Sequence, residues 1–341
     1  MKNYHKAIIF ISLVLIILIL FTINKLANRK DDLNNISPSV NISLNGDRVW
    51  KSADWINIEY ENTVNSAVIY NPVLLTSYMD RLYLGDWGDM SIKVLSLDGL
   101  IMYTIGAQGR GPGEFQRIMD VKFNDGFIFI TDPEKHEVII YSSDGDYSHS
   151  FKLEYPSYRS AISDDFVYSL AIQDSLFGIY SHEGTPVGTF GKILEDPIMN
   201  QLSLSGRIHY IDSDDLMLYI PRMASYLYYY TQSGDLYQVT ETLDNIPFTL
   251  SNREESSSQI RIMAPEQEVQ IMDYYQMDDQ LYLLGRFMKG GNPLDNEYFI
   301  DVYSIHGDQY FYSVKIPVPA NQFTIIDYKY FFIFLLHLPY L

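Results

Sequence analysis

Eight polar side chains fall at one recurring position in this chain. They are Asp86, Trp87 and Asp89, then Asp132, Glu134 and Lys135, then Arg222, then Arg286. Each follows one run of aliphatic and aromatic residues and precedes another, so all eight are expected in loops on one side of a repeating unit. Carboxylates, cations and an indole gathered on one rim suit noncovalent recognition, in which a few polar groups orient a ligand and an aromatic face supplies contact. These eight are the candidate ligand-binding residues. Catalysis would need a different set. The histidines beyond the N-terminal segment are His136, His149, His182, His209, His306 and His337, and no two have the i, i+2 or i, i+4 spacing of a metal site. The absence of cysteine excludes thiolate nucleophiles, disulfides and Cys-ligated metals. These residues favour a binder over an enzyme and name no catalytic residue. No cofactor is expected, and Ca²⁺ is the one ion that an acidic surface would suit.

The elements that must position the eight are legible as a repeat. A Ser/Thr-bearing strand runs into a turn glycine five times, at Gly99, Gly145, Gly184, Gly234 and Gly307. Each copy trails an Asp followed by apolar residues, at Asp80, Asp125, Asp165, Asp215 and Asp279, with spacings of 19, 20, 19, 19 and 28 residues. The longer fifth spacing is expected to hold a loop insertion within Arg286–Glu297. Aromatic and β-branched residues fit a pleated surface, and Asp-Gly-type turns supply the backbone angles of a tight hairpin. With a lead-in strand before each Asp, every unit reads as four antiparallel strands, the size of a propeller blade. A sixth unit is divided between the ends of the chain, Asp327–Phe334 and Ile42–Gly46. The expectation is an all-β, six-bladed β-propeller of four-stranded antiparallel blades, closed by pairing the N- and C-terminal strands. The longest departure from the repeat, Asn245–Met272, is expected to be a lid or a disordered excursion.

One local motif stands apart: Gly106, Gly109, Gly111, Pro112, Gly113, Glu114 and Phe115, placed between two units. A strand follows it rather than a helix, so a phosphate cradle is not expected. It reads as a blade-to-blade crossover with Phe115 packed between sheets. With Asp120 and then Phe127-Ile128-Phe129-Ile130-x-Asp132, this stretch resembles the NHL-type repeat. It is more similar still to the six-bladed β-propeller proteins common in Bacteroidetes, whose lead-in segment Trp55–Tyr60 also resembles. The resemblance extends over about residues 40–341. It implies a fold and an exported location and transfers no activity. Some NHL-like rings are lyases or lactonases with an axial metal, so a metal-assisted lyase or hydrolase is one alternative. A structural subunit of a cell-envelope complex is another.

Residues 7–23 contain only Ser12 and Thr22 as polar positions, which is just long enough for a membrane span, and basic residues flank both ends. The expected organisation is a signal anchor or transmembrane segment at residues 1–30, a polar stem at 31–39 and a propeller at 40–341. That places the ring at the cell membrane, single-pass, outside the cytoplasm, whether periplasmic or extracellular. Beyond residue 30 the chain carries 19 basic and 43 acidic residues. Such a charge repels phosphate backbones, so nucleic acid is not an expected partner. A peptide, a glycan or an envelope protein is.

Overall fold

A computed structural model describes residues 39–52, 69–171, 173–193, 201–248, 252–256, 259–263, 268–289, 295–326 and 330–334. The chain divides into two units, residues 1–38 and 39–341, and every described residue belongs to the second. The expected membrane segment lies outside the described residues. Among the described residues no helix is long and apolar enough to cross a membrane.

Strands β1 (Val40–Ser43) and β2 (Trp50–Lys51) precede the first sheet. Blade 1 comprises β3 (Pro72–Tyr78), β4 (Arg81–Asp86), β5 (Ser91–Ser96) and β6 (Ile101–Ile105). Blade 2 comprises β7 (Asp120–Asn124), β8 (Phe127–Asp132), β9 (Glu137–Ser142) and β10 (Tyr147–Lys152). Blade 3 comprises β11 (Arg159–Ile162), β12 (Phe166–Leu170), β13 (Phe177–Ser181) and β14 (Pro186–Phe190). Blade 4 comprises β15 (Gly206–Ile211), β16 (Leu216–Pro221), β17 (Tyr226–Thr231) and β18 (Leu236–Glu241). After a hairpin of β19 (Asn252–Ser256) and β20 (Gln259–Met263) comes blade 5: β21 (Val269–Met277), β22 (Gln280–Phe287), β23 (Glu297–Ser304) and β24 (Tyr310–Ile316). A two-stranded sheet, β25 (Gln322–Ile326) with β26 (Tyr330–Phe334), ends the described chain.

The turn signature has a shared local cause. The N–H groups of Gly99, Gly145, Gly184, Gly234 and Gly307 each donate to the carbonyl three residues earlier, at 2.9–3.0 Å. All five glycines take positive φ, from +66° to +92°, where a Cβ would be strained. In four of the turns the Ser or Thr hydroxyl accepts a further N–H four residues on, which explains why a hydroxyl residue opens each.

The expected architecture needs two corrections. The ring holds five four-stranded blades, not six; the sixth position is filled, among the described residues, by the two strands β25–β26. The N-terminal strands do not pair with the C-terminal ones. Instead β1 adds in parallel to β18, with Ile42 opposite Thr240 and Ser43 opposite Glu241, and β2 adds in parallel to β24. The Ile42–Gly46 pattern fits any free sheet edge, so its type could not specify the partner. What fixes it is distant in sequence. Arg48, between the two strands, pairs with Asp244 at 2.6 Å and Asp301 at 2.9 Å, and its guanidinium lies 4.3 Å over the Phe299 ring.

Closure comes from β25. The first strands of the sheets neighbour one another in sequence order around an axis, and β25 lies between β21 and β3. The Leu75 N–H donates to Gln322 Oε1 at 2.9 Å, Ser77 bonds Thr324 at 2.6 Å, and the Phe323 N–H donates to Asp273 at 3.2 Å. The core is accordingly a set of inter-sheet clusters. Tyr168, Phe177 and Tyr219 join blades 3 and 4; Tyr83, Phe115 and Ile139 join blades 1 and 2; Leu84 and Ile326 join blade 1 to the last sheet. Each such side chain contributes on the order of 2–3 kcal/mol on burial.

Candidate functional site

The first strand of each sheet faces the axis, so alternate residues on it look into a shared channel. Blade 2 contributes Asp120 and Lys122, blade 3 Arg159, blade 4 Arg207, blade 5 Asp273 and Tyr274, and the last sheet Gln322 and Phe323. They enclose about 50 Å³. The charged groups are deep in the ring yet keep part of their surface open to the channel.

Their partners divide them into two sets. Asp273 accepts from Arg207 Nε at 3.0 Å, and Arg207 Nη2 also donates to the Met272 carbonyl at 2.9 Å. Lys122 donates to the Tyr274 hydroxyl at 2.8 Å and stands 3.8 Å from Asp120, which accepts the Ser160 N–H at 2.9 Å. These groups are paired. Arg159 is not: among the described residues it donates to the carbonyls of Met119 and Tyr158, each at 2.6 Å, and to no carboxylate. Nor is Arg222, which follows β16 and whose carbonyl accepts the Ile271 N–H of β21 at 3.0 Å. Among the described residues its Nη2 meets only the Met272 sulfur at 3.7 Å, and its buried Nε has no partner. Arg286 donates both Nε and Nη2 to Gln270 Oε1, at 3.2 and 2.6 Å.

The electrostatics follow from that arrangement. Burial first, then the like charge of Arg207, brings the Arg159 guanidinium down to about 9. Burial, with Arg286 and Arg207 nearby, brings Arg222 down to about 10. Burial raises the Asp273 carboxyl against the pull of Arg207. For Lys122 burial works against the charge, but Asp120 and Tyr274 outweigh it and the net direction is upward. Further down the channel His209 on β15 bonds Gln276, and burial lowers it to about 4.

The eight rim residues anticipated from sequence separate into four groups. Arg222 and Arg286 lie beside the axial cluster without lining its cavity. Asp86 and Asp132 are buried turn brackets. Asp86 accepts the N–H groups of Tyr70, Asn71 and Gly88 at 2.7–2.8 Å; Asp132 accepts those of Gln116, Arg117, Glu134 and Lys135 at 2.7–3.1 Å. Asp89 pairs with buried Lys93, and Lys135 donates to the carbonyls of Gly111 and Glu114 at 3.1 and 2.9 Å. Trp87 and exposed Glu134 line a separate open cleft of about 360 Å³ with Arg110 and Arg117. The Arg117 guanidinium lies 4.5 Å over the Trp87 ring, and the indole N–H donates to the Ile118 carbonyl at 2.8 Å.

The glycine motif folds on itself. Phe115 is fully buried, Glu114 accepts the Gly111 N–H at 2.7 Å, and Tyr141 donates to the Gly113 carbonyl. A Cβ on Gly106 would sit 2.1 Å from the Phe115 ring, and one on Gly109 2.0 Å from Glu114. Pro112 completes the turn between Gly111 and Gly113.

Sequence reasoning missed Asp120, Lys122, Arg159, Arg207, His209 and Asp273. A signal existed. Asp120-Val121-Lys122 and Arg207-Ile208-His209 alternate polar with apolar in the lead-in strand of their units, where a strand buried on both faces should be apolar throughout. Among the described residues no three imidazole or carboxylate side chains are grouped to hold a metal ion.

Radial sheets, an axial channel and a cationic opening define a β-propeller. Residues 34–334 match the DUF5128 family, described as a 6-bladed beta-propeller, and the chain belongs to that family. No curated protein matches it in sequence. Among solved structures, a protein inferred to be exported, from Bacteroides fragilis NCTC 9343, aligns with a TM-score of 0.50 at 13% identity, over 84% of this chain and 86% of its own. A DUF4221 family member from Bacteroides vulgatus ATCC 8482 aligns with a TM-score of 0.56 at 8% identity, over 77% and 88%. At these identities the likeness is one of fold alone. Virginiamycin B lyase from Staphylococcus aureus aligns at 0.44 and 16%, over 73% and 71%, and its chemistry does not carry over.

Proposed function

We propose that the protein is an exported, non-catalytic binding module, anchored to the cell membrane by residues 7–23. Its partner, a peptide, a glycan or an envelope protein, docks over the ring face at which the first strands of the blades begin. The observation that carries this is Arg159 in the wall of the channel and Arg222 near that end of it, neither of them ion-paired among the described residues. A buried donor without an acceptor costs on the order of 1–3 kcal/mol, which an incoming acceptor recovers. Concave sites with a few convergent polar groups are where ligands bind. Export is supported by the apolar N-terminal segment and by the similar Bacteroides fragilis protein inferred to be exported. The excess of acidic residues beyond residue 30 argues against nucleic acid.

Peptide and glycan arrays probed with the full chain test the reading. Hits are expected to lose affinity in Arg159→Ala and to keep it in Asn124→Ala, which alters the far end of β7. Hits that respond only to Asn124→Ala, or array ligands that are turned over, would overturn it. Protease should cleave the ring when added to intact cells if it is extracellular, and only after the outer membrane is opened if it is periplasmic; a ring protected in both would face the cytoplasm.

A further inference from the structure

We infer that the arginine end of the axial channel is a site for a tetrahedral oxyanion, phosphate or sulfate, whether free or as the terminal ester of a larger ligand. The inference rests on the reading of this end as the ligand site and names the chemistry it selects.

Charge balance comes first. Lys122, Arg159 and Arg207 line the channel with Asp120 and Asp273, and Arg222 and Arg286 add positive charge beside them, in a chain whose net charge is −19. An acidic protein that gathers more cations than carboxylates from four blades near its centre does so against its own composition. Like charges buried together raise the energy of the empty ring unless a counter-charge enters.

The pairing pattern then locates the site. Arg207 is committed to Asp273, Arg286 to Gln270, and Lys122 to Tyr274 and Asp120. Arg159 and Arg222 are left with carbonyls, a thioether and an orphaned Nε. Guanidinium groups present planar forks that match oxyanions, and pairs of them bind phosphate-type groups with charge-assisted hydrogen bonds.

Size narrows the class. The cavity of about 50 Å³ that Lys122, Arg159 and Arg207 line has room for roughly three to five oxygen-sized groups, taking about 10–15 Å³ for each. That suits a tetrahedral ion and excludes a nucleotide or a sugar ring from the channel itself. Arg222 stands outside that lining, next to it through Met272, which both it and Arg207 contact. A larger ligand would insert its ester and leave the rest on the rim. A single carboxylate would leave most of the excess positive charge uncompensated.

The test is calorimetry and thermal melting of the full chain at constant ionic strength, with inorganic phosphate, sulfate, glycerol phosphate, acetate and chloride. Phosphate or sulfate should raise Tm by about 2–5 °C at saturation. Arg222→Gln and Arg159→Gln should each weaken binding by roughly tenfold or more. Arg222→Gln should also raise the Tm of the ligand-free ring, because it removes repulsion and breaks no ion pair. If either variant fails to fold, Arg222→Lys keeps the charge without the fork and should bind several-fold more weakly at unchanged Tm. Equal binding of phosphate and glycerol phosphate supports a terminal ester; binding of the free ions alone supports a free-ion site. A Tm indifferent to phosphate and sulfate, acetate matching them, or binding unchanged in Arg222→Gln would overturn the inference. Array hits lost in Arg159→Ala but not displaced by phosphate would also overturn it, while leaving the binding-module reading in place.

Discussion

Asp132 is a buried carboxylate engaged by backbone donors. Its oxygens accept four backbone N–H groups and hold the loop between β8 and β9 against the blade crossover. Asp132→Ala orphans those donors and should cost on the order of 3 kcal/mol, read as a lower urea midpoint at unchanged m-value. His209 is the opposite case, a group held neutral. Burial lowers it from 6.5 to about 4, with Gln276, Tyr274 and Lys122 as its neighbours. Between those pH values the unfolded chain takes up a proton that the folded ring refuses. Stability is therefore full above pH 6.5 and falls as the pH is lowered toward 4, by at most about 3 kcal/mol. His209→Gln should flatten that part of the pH profile, and a melt series over pH 4–7 comparing the two proteins checks it. An identical slope in both would assign the acid sensitivity elsewhere.

At the scale of elements, one side chain ties the N-terminal extension to two blades at once. Arg48 joins Asp244 of the loop after β18 to Asp301 of β23, so it ties blade 4 to blade 5. Asp301 is almost fully buried, and Arg48→Met would leave it without its counter-charge. The expected cost is about 3–5 kcal/mol, with faster hydrogen exchange confined first to β1 and β2. Gly106 is a second such point. It has φ +66° and lies against the Phe115 ring, so Gly106→Ala combines backbone strain with overpacking. Roughly 2–4 kcal/mol should be lost, and Phe115 should become accessible to quenchers. The Arg48 tie depends on residues 196 and 253 positions away in the chain, whereas Gly106 meets a residue of its own motif. The turn hydroxyls and glycines, by contrast, act within five residues and were legible directly.

For the whole molecule, closure depends on β25 rather than on the meeting of the chain ends. Removing residues 321–341 exposes the flanks of β21 and β3 that Phe323 and Ile326 cover. The single unfolding transition should broaden or divide, and the hydrodynamic radius should grow; a sharp native-like melt would show that the five blades close by themselves. The sequence by itself determined the strand repeat, the turn chemistry and the burial of the crossover motif, because each is set by neighbours a few residues away. It placed Arg222 and Arg286 among the candidates but grouped them with turn-bracketing residues such as Asp86 and Asp132, which sit at a similar point in the repeat. Only the tertiary structure decided that Arg159, Arg207 and Arg222 gather near one end of a channel, and that β1 and β2 extend blades 4 and 5. Alternation along a strand says which residues share a face. Which faces converge is set by the curvature of a closed ring, and no local pattern encodes that.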